Sequence, residues 1–167
     1  GKMSRWDVAA LALLLISFCL CFFFPTKYMP AGRDPGVYLI NGVHIAKTGG
    51  ITYESNAYLN EHYEEVKDLL KLNTPGFYSE YEYGISKEPG SVVTQFLHLF
   101  PSLLAVGYRV GGLEGLVRVN AFINFFALGI MYLLTKRMFG EKAAGLALLF
   151  LTVNPAQLWA GRITQTE

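Results

Sequence analysis

The chain has 167 residues, a formal net charge of +1, 52% hydrophobic residues and a mean hydropathy of +0.31. Charged residues make up 16%, against about 25% in an average soluble protein, and the near-zero balance excludes the basic excess of a nucleic-acid binder. Cys19 and Cys21, the two cysteines, stand two apart in an apolar run where a helix points them in different directions, which excludes a disulfide-stapled secreted domain.

Residues 8–24 carry no charge, and Ser17 is the only hydroxyl among them. At ~1.5 Å per residue such a helix nearly crosses a hydrocarbon core ~30 Å thick. Trp6 and Tyr28 flank it as interfacial aromatics, and Lys2 and Arg5 before it predict a cytoplasmic N-terminus. The competing reading is a cleaved signal peptide. Against that, the run exceeds a usual signal core and the exit Phe22-Phe23-Phe24-Pro25 lacks a small-residue cleavage pattern.

Residues 26–115 then form one large extracytoplasmic region with seven Lys/Arg and ten Asp/Glu. Within it, 34–48 predicts a helix with Asp34 as N-cap and Pro35 as its first residue. Val37, Ile40, Val43 and His44 are its expected apolar face, and Gly49-Gly50 its end. A second amphipathic helix is expected over 60–72, with Glu64 and Asp68 placed to pair with Lys67 and Lys71. Residues 77–84 read as a Tyr/Glu-rich loop or short strand. The segment 92–110 is apolar enough to cross, yet it carries Gln95, His98, Pro101 and Arg109. An interfacial helix on the outer leaflet fits it, with a fourth span as the alternative.

The second span covers 119–135, reaching back to 116 if Arg118 snorkels, and the third covers 143–160. The loop between them holds Lys136, Arg137 and Lys142 against Glu141, which predicts a cytoplasmic location. The expected fold is thus an all-α integral membrane protein. It has about three transmembrane helices and a large extracytoplasmic first loop bearing amphipathic and interfacial helices. A multi-pass protein surrounded by membrane lipids follows from that topology, and the short loops with no Asn-x-Ser/Thr sequon point to the plasma (inner) membrane.

The order of short motifs carries more than any one of them. Gly32-Arg33-Asp34-Pro35-Gly36-Val37-Tyr38 follows the first span, and Lys87-Glu88-Pro89 precedes the interfacial helix. Gly111, Glu114 and Arg118 precede the second span, Lys136-Arg137-Met138-Phe139-Gly140 closes it, and Arg162 and Glu167 follow the third. Over residues 5–167 this resembles the N-terminal part of a GT-C type membrane glycosyltransferase, of the protein O-mannosyltransferase and aminoarabinose transferase kind. The match departs at Glu88, where the family often has proline. Family members have many more spans and usually an external C-terminal domain, so a longer protein is expected.

The resemblance implies an inverting transfer of a sugar from a polyprenyl-phosphate carrier to an acceptor hydroxyl at the outer membrane face. It implies Asp34 as general base, where the residue alone reads as a helix cap. It also implies Arg33, Lys87 and Arg162 as ligands of the donor phosphate, whose simpler role is interfacial snorkelling. Tyr38 and Glu167 are further candidate substrate-binding residues. Glu167 is placed to position the acceptor or a divalent metal; no cofactor follows from the residues themselves. The alternative is a non-catalytic membrane subunit with the same fold, docked to other membrane subunits in a larger complex. Arg118 with Glu114 reads as a structural ion pair, and Asn120 and Asn124, one turn apart, as hydrogen-bonding groups toward a neighbouring helix. His44, His62 and His98 share no metal-ligand spacing, and Thr48-Gly49-Gly50 lacks the Gly-Lys-Ser/Thr of a nucleotide loop.

Overall fold

Ser4 starts the first helix. Its hydroxyl accepts from the Asp7 N–H at 3.2 Å, while Asp7 Oδ2 accepts from the Ser4 N–H at 3.0 Å, a reciprocal capping box. Helix α1 (Arg5–Phe23) follows without Gly or Pro and stops ahead of Pro25. The structure is a computed structural model that describes residues 3–27, 34–53, 61–62, 64–65, 77–79, 92–94 and 97–163. It is mostly helical and divides into two compact units, Gly1–Lys27 with Val117–Thr164, and Tyr28–Leu116 with Gln165–Glu167.

In the first unit α1 buries one stripe, Ala10, Leu14, Ser17 and Cys21, against α4 (Val119–Phe139) and α5 (Glu141–Val153). The opposing stripe of α4 is Asn120, Asn124, Leu128 and Tyr132, a residue every turn. Ala144 and Leu148 of α5 complete the apolar core. Helix α5 approaches α1 closely at Gly145, where the Trp6 ring lies on the backbone. A Cβ there would sit 2.5 Å from Trp6 Cε3. The remaining faces of α1 and α4 are apolar and open, with Leu15, Ile16, Phe23, Phe126, Ile130 and Leu133 all exposed. Both helices are long and apolar enough to cross a membrane.

The third expected span is not one helix. Asn154 is extended (φ −69°, ψ 121°), and its Oδ1 accepts from Ala156 N–H at 2.9 Å to cap a separate six-residue helix, α6 (Pro155–Ala160). Proline drives the preceding residue out of the helical region and brings no N–H of its own, so Asn154-Pro155 ends α5 and starts α6. Thirteen residues of α5 extend only ~20 Å.

In the second unit α2 (Asp34–Thr48) has the expected extent. Its packed face is different in part: Val37 is buried as expected. Ile40 is exposed, and the contact runs through Tyr38, Gly42 and Ala46. Gly42 explains this. A Cβ there would lie 2.8 Å from Leu104 Cβ, so the bare backbone admits α3 (Leu99–Val117) more closely than a branched face would. Tyr38 meets Phe100 edge-on at 5.3 Å, and Arg109 Nε donates to the Ala46 carbonyl at 3.1 Å.

The interfacial helix expected over 92–110 starts later, at Leu99. The β-branched run Val92–Thr94 is instead the central strand β3 of an antiparallel sheet, between β1 (Thr52–Tyr53) and β2 (Phe77–Ser79). Val93 faces Thr52 on one side and Tyr78 on the other. His44 ties α2 to β1: its Nε2–H donates to the Thr52 carbonyl at 2.9 Å, and its ring stacks on Tyr53 at 4.0 Å. Burial pushes the Tyr53 hydroxyl up to about 12. Helix α3 is broken at Gly111 and Gly112, the latter at φ 60°, ψ −148°. The chain doubles back so tightly that a Cβ on Gly115 would meet the Gly107 carbonyl oxygen at 2.2 Å. Most of the helix expected over 60–72 lies outside the described residues; His62 and Glu65 within it face each other at 3.6 Å.

Candidate functional site

Among the described candidate residues, Arg162 is the one held by bonds to a second helix end. It follows α6, and two bonds dock it on the C-terminal end of α1. Its Nε donates to the Phe24 carbonyl at 2.5 Å, and its own carbonyl accepts from Thr26 N–H at 2.9 Å. The Phe24 bond uses one edge of the guanidinium. The two terminal NH2 groups have no protein acceptor among the described residues, so the fork a phosphate would take stays available. Phe23, Phe24 and Trp159 are exposed around it. Amphipathic aromatics such as Trp favour a membrane–water boundary.

A buried polar knot supports this docking. Asn124 Nδ2 donates to Ser17 Oγ at 3.4 Å and to Cys21 Sγ at 3.8 Å, while its Oδ1 accepts from Gln157 Nε2 at 2.5 Å. One turn back, Asn120 donates to the carbonyls of Ile163 and Ala160. Gly161 fits against the knot because it has no side chain: a Cβ would lie 2.8 Å from Cys21 Sγ and 3.0 Å from Asn124 Cγ. Polar groups in an apolar bundle are costly unless paired, and here each carboxamide joins α4 to the segment that bears Arg162. The two asparagines thus bond neighbouring elements as their spacing predicts. Gln157 and Gly161, four apart and facing the same way, complete a constellation that the sequence reading passed over. Arg118 stands over the Phe22 ring at 5.3 Å, a cation–π contact.

Asp34 opens α2 and Tyr38 lies one turn on, packed in the interior of the second unit against Phe100. Arg33, Lys87 and Glu167 lie outside the described residues. Cys19 and Cys21 are both free thiols, one exposed and one buried. Among the described residues no three His, Cys, Asp or Glu side chains gather in a metal-binding group.

At the other end of the helical unit the loop charges Lys136 and Glu141 form a cluster with Asp7, a residue that the span assignment leaves out. Lys136 Nζ lies 2.6 Å from Asp7 Oδ1 and 3.0 Å from Glu141 Oε1, and Tyr132 OH donates to Asp7 Oδ1 at 2.9 Å. The signal was present in Ser4-x-x-Asp7, a capping pattern that fixes the carboxylate at the helix start. The Lys136 ammonium, with the Ser4 hydroxyl, holds the Glu141 carboxyl below the usual carboxylate range. The folded protein therefore binds fewer protons at Glu141 than the unfolded chain does. That stabilisation is complete above the ordinary glutamate value and is lost as pH falls through the lowered one. Thermal unfolding should place wild type above Glu141→Gln at neutral pH, with the two midpoints converging on acidification.

No protein-family model matches the chain, and no curated protein or solved structure matches it.

Proposed function

We propose that the chain is the N-terminal part of a GT-C type membrane glycosyltransferase. On this reading it moves a sugar from a polyprenyl-phosphate carrier to an acceptor hydroxyl at the outer face of the plasma (inner) membrane. Its N-terminus is cytoplasmic and the region 26–115 extracytoplasmic. The observation that carries the reading is Arg162, with its Nε tied to the end of an apolar helix and its NH2 groups without a protein acceptor among the described residues. The order of motifs from Asp34 to Arg162 supports it independently.

The chemistry is a single displacement. The acceptor oxygen bonds to the anomeric carbon as the bond from that carbon to the phosphate oxygen breaks, and the electron pair leaves with the polyprenyl phosphate. Asp34 takes the acceptor proton as general base. Arg162 and Lys87 stabilise the charge growing on the leaving phosphate, where a guanidinium provides two parallel donors. Arg33 and Glu167 are the further substrate-binding positions, while Tyr38, packed in the interior against Phe100, holds α2 in place and does not touch substrate.

The test uses the full-length protein in detergent or membranes with labelled polyprenyl-phosphate sugars. Arg162→Ala should weaken donor binding about 10- to 100-fold, the loss of a charge-assisted hydrogen bond to phosphate. Absence of transfer from every donor tried, with lipid-phosphate binding indifferent to Arg162, would overturn the proposal.

A further inference from the structure

Among the described residues, the end of the helical unit that carries the α1 N-terminus holds six charged side chains, and they divide into two sets. Asp7, Lys136 and Glu141 face one another, with Lys136 Nζ bridging both carboxylates at 2.6 and 3.0 Å. Arg5, Arg137 and Lys142 are exposed, and among the described residues none has a carboxylate within 4.0 Å. The described carboxylates there are thus spent inside the cluster, and the outward charge of the described residues at this end is cationic.

The apolar residues there are as informative as the charges. Met3, Met138 and Phe139 are exposed at 63%, 62% and 69%, interleaved with the three free cations. Leu133 and Leu134 continue the exposed apolar surface along the flank of α4. A soluble anion would satisfy the cations and leave this apolar surface in water. A phospholipid covers both, with its phosphate at the cations and its acyl chains along the helix.

We propose that Arg5, Arg137 and Lys142, with Met138 and Phe139, form a binding surface for anionic phospholipid headgroups. The assignment rests on the membrane location of α1 and α4 and is independent of the transferase reading. Lys136 has a separate part in it: by holding Asp7 and Glu141 inward it keeps their charge from the headgroups.

The experiment uses the full-length protein. Retention in the membrane after an alkaline carbonate wash tests the location. Release of the protein there would remove the membrane reading and this proposal with it. For the retained protein, thermal unfolding in neutral detergent is followed with added phosphatidylglycerol, phosphatidylcholine or glycerol phosphate. Phosphatidylglycerol should raise the midpoint by ~2–4 °C, and 0.5 M salt should abolish the rise, as linkage and screening require. The shift should vanish in Arg137→Gln/Lys142→Gln and shrink in Arg5→Gln, which also serves if the double variant fails to fold. An equal shift with phosphatidylcholine, an equal shift with glycerol phosphate, or an unchanged shift in the variants overturns the lipid assignment while leaving the membrane location standing.

Discussion

Asp34→Asn should lower sugar transfer by at least ~100-fold while leaving the thermal midpoint close to wild type, the result expected when a general base is removed from its helix. The substitution separates the two roles open to this residue. Asn and Asp are nearly equivalent at helix starts, so a purely capping Asp34 tolerates the exchange with its α2 function intact. A carboxamide has no basicity to receive the acceptor proton, so a catalytic Asp34 does not. Transfer assays on the full-length variant, paired with unfolding curves, distinguish the outcomes. Activity within a few-fold of wild type would assign Asp34 to the helix start alone and leave the displacement without its base.

The turn inside α3 is the place where one methyl group should do the most structural damage. Gly112 adopts φ 60°, ψ −148°, a region open to glycine and strained for any residue with a Cβ. Gly112→Ala is expected to destabilise the protein by about 1–3 kcal/mol, read as a lowered unfolding midpoint in detergent. Gly115→Ala should cost at least as much. The contact it creates, 2.2 Å from the Gly107 carbonyl oxygen, is with backbone, which has no rotamer by which to yield. Gly129→Ala supplies the control, because beyond its chain neighbours and its own helix backbone no atom lies within 4 Å of the Cβ it adds. Equal midpoints for the three variants would show that the turn tolerates side chains.

These effects also mark where the sequence was legible. The apolar runs that became α1 and α4 were clear from length and hydropathy, because each carries its signal over five or more turns. Helix α2 was clear from Asp34-Pro35 at one end and Gly49-Gly50 at the other. Its packed face was not, because the stripe through Gly42 and Ala46 depends on closeness of approach, to which hydrophobicity is blind. The segment 143–160 kept an apolar mean across Asn154-Pro155, and the average hid the local cap that divides it. The three-stranded sheet rests on strands of two or three residues, too short for an alternating pattern to register. At the candidate site, Arg162 is a candidate through motif order alone, whereas the bond to Phe24 and the Asn124–Gln157 contact join residues far apart in the chain. Pairings of that kind leave no local trace.

The Trp6 ring resting on Gly145 has an evolutionary corollary. Position 145 admits a side chain only when position 6 gives up its ring, and an aromatic at position 6 keeps its seat only over glycine. The two sites are therefore sterically coupled. Across related sequences they should change together, large with small exchanged for small with large, so that their covariation records the α1–α5 contact in lineages where neither residue is retained.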